Sequence, residues 1–224
     1  MQTQTIELTA ERIPDCIFVT GIGTDVGKSY ATGWLARELA RIGLNPVTQK
    51  FIQTGNRGFS EDIAVHRKIM GIEPLEADRQ MLTAPLILSY PAAPDLAAEI
   101  DGVTVEYDKS AEATETLLAQ YRPVLIEGAG GLLVPLDSER LTSDYIAQHK
   151  LPVAIVTNGQ LGSINHTLLT LHECQRREIP VWAVIYNPFF DKDPVICRHT
   201  VGYLQRWLSK NMPQTLFLLM PEQL

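Results

Sequence analysis

Cysteine is scarce in this sequence of 224 residues: only Cys16, Cys174 and Cys197 occur, an odd number with no C-x-x-C pair. That excludes a disulfide framework and a cysteine zinc site, and it favours a reduced compartment with the thiols buried. No apolar run approaches the ~18 residues that a membrane span needs, and the opening MQTQTIELTAERIPD lacks the apolar centre of a signal peptide. The expectation is a cytoplasmic protein with no membrane partner. Positive charge is in deficit, with 19 Lys and Arg against 26 Asp and Glu and a net charge of -7. Such a balance disfavours non-specific binding to polyanionic DNA or RNA, so nucleic acid is not expected as a partner. The five histidines, His66, His149, His166, His172 and His199, show no H-E-x-x-H or other ligand spacing. They are expected at the surface or at helix ends, and no Ser-His-Asp grouping emerges from the spacing.

Apolar residues make up 45% of the chain, enough for one large α/β domain spanning 1–224. Short β-branched runs recur: CIFVT at 16–20, NPVTQK at 45–50, PVLIEG at 123–128, LPVAIVT at 151–157, PVWAVIY at 180–186 and TLFLL at 215–219. Several are apolar on successive residues, as expected of strands covered on both faces. Between them lie helical patterns. Ala31, Trp34, Leu35, Leu39 and Ile42 recur at steps of three and four before Gly43, and SEDIAVHRKIM at 60–70 reads as a helix capped by Ser60 and stopped near Gly71. LGSINHTLLTLHECQRR and PVICRHTVGYLQRWLSK supply two more. The alternation predicts a mostly parallel sheet flanked by helices on both faces. Residues 72–103, with Pro74, Pro85, Pro91 and Pro94, are expected to form an irregular excursion over one edge of the active face.

In such a sheet, ligands bind beyond the carboxyl ends of the strands. Gly21 to Ser29, Lys50 to Thr54, Glu127 to Gly131 and Asn187 each follow a strand, so they should gather on one rim. The first of these loops is close to the phosphate-binding pattern G-x-x-x-x-G-K-[ST], but strict spacing back from Gly27 requires glycine where Ile22 stands. Its backbone N–H groups could cradle phosphate oxygens beside the positive end of the following helix. Lys28 would neutralise the β/γ oxygens, and the Ser29 hydroxyl would ligate magnesium; a plain strand-to-helix turn is the alternative. Glu127, before GAGG, suits a second magnesium position. Asp62 lies in a first helical turn, where the dipole alone favours a carboxylate, so its sequence leaves function and mere stabilisation open. Lys50 closes a strand fit for burial, which favours an ammonium emerging to meet an anion. Thr54 and Gly55 could bind the same anion or simply form a turn.

Taken together, VTGIGTDVGKS, KFIQTG, SEDIAVHR, IEGAGGLLVPL, LPVAIVTNGQLGSINHTLLTL and YNP resemble the dethiobiotin synthetase family over about residues 16–190. The resemblance implies a P-loop NTPase-like fold and an ATP-dependent, magnesium-requiring ligase. It would build a ureido ring from 7,8-diaminononanoate and carbon dioxide (bicarbonate) through a phosphorylated carbamate. It implies catalytic roles for Lys50, Lys28 and Thr24, and nucleotide binding by Gly23, Asp25, Val26, Gly27, Lys28, Ser29, Tyr30 and Asn187. Ser29, Asp62 and Glu127 become the magnesium ligands, while Thr54, Gly128, Ala129, Gly130, Gly131 and Asn165 fall beside the substrate. LGSINH, near Gly162 to Asn165, resembles the family's dimer interface, which implies a homodimer with a shared site. The chain departs from the family pattern at Ile22 and Gly23, at Ser29 for threonine and at Phe51 for proline. The family usually continues beyond the final LLMPEQL, so Pro221 and Glu222 are the residues left to meet the ribose. Rival readings are a partition- or cobyrinate-ligase-like ATPase of the same branch, or a catalytically idle binding or assembly relative.

Overall fold

The computed structural model describes residues 10–222. The opening segment weighed above as a signal peptide is outside the described residues as far as residue 9, as are Gln223 and Leu224 of the final LLMPEQL. Six strands, β1 (Cys16–Gly21), β2 (Val47–Lys50), β5 (Val124–Gly131), β6 (Val153–Asn158), β7 (Val181–Asn187) and β8 (Leu216–Leu219), form one parallel sheet in the order β2-β5-β1-β6-β7-β8. They coincide with the six β-branched runs. Two more, β3 (Gln53–Thr54) and β4 (Ile87–Leu88), pair in parallel at the rim beyond β2.

The unbroken apolar runs have a simple cause. On β1, Ile17 and Val19 enter one core with Trp34, Leu35 and Leu39 of α1 (Lys28–Arg41), whereas Phe18 enters a second core on the opposite face with Tyr145, Ile146 and Leu171. Successive residues point to opposite faces of a pleated strand, so a sheet covered on both sides makes each of them apolar. α2 (Glu61–Met70) begins where its cap requires: the Ser60 side chain accepts a hydrogen bond from Ile63 N, and Gly71 closes the helix with φ 70°. α7 (Ser163–Arg176) and α8 (Pro194–Asn211) occupy the two later helical patterns.

Residues 72–103 are more ordered than expected. They hold α3 (Glu76–Arg79), β4 and α4 (Pro94–Asp101). The first two are too short to show a period, and Pro94 opens α4 at the position where a missing N–H costs nothing. The segment does lie against the rim, through the pairing of β4 with β3. Two further helices, α5 (Asp108–Leu118) and α6 (Thr142–Gln148), carry little apolar signal. α5 buries only Ser110, Ala113, Thr114 and Leu117, so its inner face is half polar. Phe51, the residue in place of the family's proline, is fully buried against Phe18, Tyr107 and Tyr145, so its substitution is absorbed by packing.

Strand order sets the site's position. From β1 the chain moves outward to β2 on one side, while β6, β7 and β8 extend on the other, so the order reverses around β1. Crevices open beyond the carboxyl ends of strands at such a reversal. Among the described residues, no helix is long and apolar enough to cross a membrane.

Candidate active site

A cleft of about 890 Å³ opens at that point, lined by groups from all four predicted strand ends. Thr24, Asp25, Gly27, Lys28, Ser29 and Tyr30 come from the first loop, Lys50 and Thr54 from beyond β2, Glu127, Ala129 and Gly130 from β5, and Asn187 from β7.

The first loop resolves the spacing problem. A side chain at Gly21 would bring its Cβ within 2.6 Å of Val26, so Gly21 takes the part of the leading glycine and the loop is one residue longer than the strict motif. Ile22 instead packs against both cores, and a Cβ on Gly23 would meet nothing within 4 Å. Gly27 has φ 89° and lies so close to Asn187 that a Cβ would come within 2.2 Å of its Nδ2. That contact ties the loop to β7, because Asn187 Nδ2 donates to the Val26 carbonyl at 3.0 Å while Oδ1 accepts from Phe189 N. Asn187 is therefore partly engaged within the chain. Its second Nδ2 hydrogen is what it can offer a base.

Lys28 Nζ donates to the Gly23 carbonyl at 3.1 Å. Burial lowers its pKa, while the nearby carboxylates work in the opposite sense. An anion in the loop would favour the charged form again.

Beside it, four side chains converge. Ser29 Oγ is within hydrogen-bond distance of Asp62 Oδ1 (2.7 Å) and Glu127 Oε1 (2.9 Å). Lys50 Nζ lies 2.8 Å from Glu127 Oε1 and 2.6 Å from Asp62 Oδ2, and it donates to the Gly128 carbonyl at 3.2 Å. Sheet register creates the central pair, since Lys50 and Glu127 are direct partners on adjacent parallel strands. Glu127 is 1% exposed. Burial pushes its pKa up, but the Lys50 ammonium and the hydrogen bond from His66 outweigh burial and hold the carboxyl well below the usual range. Lys50 shows the mirror effect. Burial lowers its pKa, and Glu127 and Asp62 more than reverse that. A hydroxyl and two carboxylates meeting at one point are the hard oxygen donors that magnesium prefers. Among the described residues, no three His, Cys, Asp or Glu side chains form a metal cage.

The histidine expectation fails at one position. His66 is fully buried, not at the surface, and its Nε2 lies 2.6 Å from Glu127 Oε2. One signal for it was present: His66 stands four residues after Asp62, hence on the same face of α2. Phe189 and Phe190, in a 3₁₀ turn after β7, also line the cleft and were not singled out, because an aromatic pair in a loop has no period. Pro221 and Glu222 line it as well.

Not every expected residue reaches the cleft. Gly23 and Val26 belong to the loop without lining the cavity, and Gly128 contributes its carbonyl to Lys50. A Cβ on Gly128 would come within 2.7 Å of Phe18, so only glycine fits there. Gly131 faces a separate, smaller hollow with Leu133 and Leu169, and Asn165 is exposed on the first turn of α7, outside the cleft.

Comparison with known proteins gives consistent findings. The AAA domain family matches residues 15–207. The chain is 49% identical to ATP-dependent dethiobiotin synthetase BioD 2 of Pasteurella multocida over 91% of its own length and 95% of that protein. It is 46% identical to ATP-dependent dethiobiotin synthetase BioD of Chlorobaculum tepidum, over 81% of this chain and 76% of that one. Among solved structures, pNOB8 ParA bound to nonspecific DNA superposes with a TM-score of 0.55 at 14% identity, covering 93% of this chain and 86% of that one. A ParA family ATPase from Chlorobium tepidum gives 0.51 at 15% identity, over 94% and 84%. At such identities the ParA likeness concerns the P-loop NTPase-like fold alone.

Proposed function

We propose a division of labour from one premise, that this chain belongs to the ATP-dependent dethiobiotin synthetase family. The protein is an ATP-dependent ligase of biotin biosynthesis. One amine of 7,8-diaminononanoate attacks carbon dioxide to form a carbamate, and a carbamate oxygen takes the γ-phosphoryl group of ATP, releasing ADP. The second amine then attacks the carbonyl carbon, and phosphate leaves with the transferred oxygen as the ureido ring closes. A carbamate resists attack until that oxygen becomes a good leaving group, so stabilising the moving negative charge is the protein's main task.

Lys28 and the loop N–H groups hold the triphosphate, with Thr24 at the loop's mouth. Lys50 follows the phosphoryl group and the carbamate, because it is the cation poised between the two carboxylates and the open cleft. Ser29, Asp62 and Glu127 would hold magnesium, which when bound neutralises phosphate charge. Thr54, Ala129 and Gly130 line the same cleft as Lys50 and would receive the diamine's reacting end. Asn187 and Phe189 also line the cleft, and an amide with an aromatic ring suits a nucleotide base.

The observation that carries this division is the meeting of Lys50, Asp62, Glu127 and Ser29 beside the phosphate-type loop. Incubation of the purified protein with ATP, magnesium, bicarbonate and the diamine is expected to yield dethiobiotin, detected by mass, in proportion to ADP formed. Product made equally well without ATP, or ATP consumption indifferent to the diamine, would count against it.

A homodimer is the proposed assembly and the cytoplasm the proposed location. Leu169 (61% exposed) and Leu133 line one hollow beside α7, and Leu161 (89%) stands just before that helix, apolar surface that a second copy would cover. Asn165 belongs to the same surface and would serve the partner's site. Light scattering is expected to report twice the chain mass for the wild type. Leu169→Glu should shift it towards the monomer, and a wild-type monomer at working concentration would refute the dimer.

A further inference from the structure

We propose that His66 is a positioning residue: its Nε2–H holds the back oxygen of Glu127, so that the front oxygen stays aimed into the site when Lys50 turns to the phosphoryl group. The two Glu127 oxygens are used differently. Oε1 receives Lys50 at 2.8 Å and lies 2.9 Å from Ser29 Oγ, whereas Oε2 meets His66 Nε2 at 2.6 Å. If Lys50 leaves to follow the reacting group, Glu127 loses the ammonium that offsets its burial. A carboxylate held through only one oxygen, by a group that moves away, is free to turn about its terminal torsion. The imidazole on the other oxygen prevents that, and so it frees Lys50 to move.

Three observations support this assignment. His66 is completely buried, and its Nδ1 has no hydrogen-bond partner among the described residues, so Glu127 is the ring's polar tie. A carboxylate oxygen only accepts, so the hydrogen shared with Glu127 sits on Nε2. An apolar side chain would pack there without an orphaned nitrogen, so a histidine at this place is suited to a task other than packing. Finally, the ring is anchored. Gly33 of α1 lets α2 approach so closely that a Cβ there would lie 3.2 Å from the His66 Cα. α1 carries Lys28 and Ser29, and α2 carries Asp62 and His66, so this one contact registers all four against Glu127.

The inference rests on the proposed magnesium ligands, and its test separates the two. Binding of Mn²⁺ in the presence of a non-hydrolysable ATP analogue is followed by the electron paramagnetic resonance of the free ion. Wild type, Glu127→Gln, His66→Ala, His66→Asn and His66→Gln are compared, each shown to be folded by near-UV circular dichroism. Groups that orient metal ligands typically contribute 10–100-fold to affinity, so His66→Ala should weaken Mn²⁺ binding by about tenfold or more. His66→Gln, whose amide reaches to the same place as Nε2, should restore most of that loss, while the shorter His66→Asn should not. A purely packing role would lower thermal stability and leave the folded variants' affinity unchanged. Equal affinity in His66→Ala and wild type, or His66→Gln no better than His66→Asn, overturns the proposal. Should His66→Ala not fold, the order of the Gln and Asn variants decides alone. Unchanged affinity in Glu127→Gln overturns the magnesium ligands instead.

Discussion

Lys50→Ala is expected to reduce dethiobiotin formation by roughly 10³-fold, the upper end of what loss of one preorganised charge-stabilising donor costs. The reason lies in the site's arithmetic of charge. Glu127 and Asp62 together carry two negative charges beside the place where a triphosphate must lie, and Lys50 is the cation in contact with both. Without it, carbamate, phosphoryl group and carboxylates repel one another. The same substitution also removes the partner of a buried carboxylate, and breaking such a pair typically costs about 3–5 kcal/mol of stability. The hydrogen bond from His66 to the other oxygen should keep the loss near the lower figure. Lys50→Gln separates the two effects, since its amide can still donate to Glu127 Oε1 or the Gly128 carbonyl but carries no charge. Its unfolding midpoint should recover towards wild type while its kcat stays low. If Lys50→Gln turns over at a near-normal rate, the ammonium is not used in the chemistry.

The linkage to pH has a definite sign. The Glu127 pKa is depressed in the folded state, so its contribution to stability is present above the ordinary carboxylate value of 4.5 and is lost as pH falls through the lower, folded one. Lys50 is raised, so its contribution is present below the ordinary lysine value of 10.5 and is lost only as pH climbs through the higher, folded one. Neither group changes protonation between those limits, and the network should hold across neutral pH.

The second large effect concerns stability. Arg67→Ala is expected to destabilise the fold by about 3 kcal/mol, the lower end of the cost of unpairing a buried charge, since the Asp78 side chain stays 13% exposed. For a chain of this size that lowers Tm by roughly 10 °C. Arg67 is almost wholly buried; its Nε and Nη2 form a fork onto both oxygens of Asp78 at 2.9 and 2.7 Å, and its Nη1 donates to Thr48 Oγ1 at 2.8 Å. Asp78 in turn accepts from Leu75 N and Thr83 Oγ1. One side chain thus fastens α2 to β2 and to the beginning of the excursion at 72–103. A double-mutant cycle with Asp78→Ala should show strong coupling, the double variant being much less destabilised than the sum of the singles. Additive losses would mean that the two residues act separately. The Asp78 pKa is lowered, because its hydrogen bonds and the Arg67 charge outweigh burial, so this clamp too loosens only as pH falls below about 3.8.

Much of this protein was legible from local pattern. Six strands could be placed because a sheet covered on both faces makes consecutive residues apolar, and α2 because Ser60 and Gly71 mark its ends through the backbone geometry they permit. The phosphate-type loop was recognisable, although Gly21 rather than residue 22 supplies its leading glycine, as the contact with Val26 shows. The rim residues could be listed because each follows a strand. What a linear pattern does not carry is register and the meeting of distant segments. Lys50 and Glu127 are 77 positions apart and face one another only because β2 and β5 pair in that alignment. His66 looked like a surface histidine since its partner lies 61 positions away, and the guanidinium of Arg67 became a clamp only once Asp78 had folded back upon it. Local sequence determined the elements and the chemical groups at their ends, because backbone preference and burial on two faces act over a few residues. Only tertiary structure decided which charges share one desolvated space, because a buried ion pair is defined by what surrounds it in three dimensions.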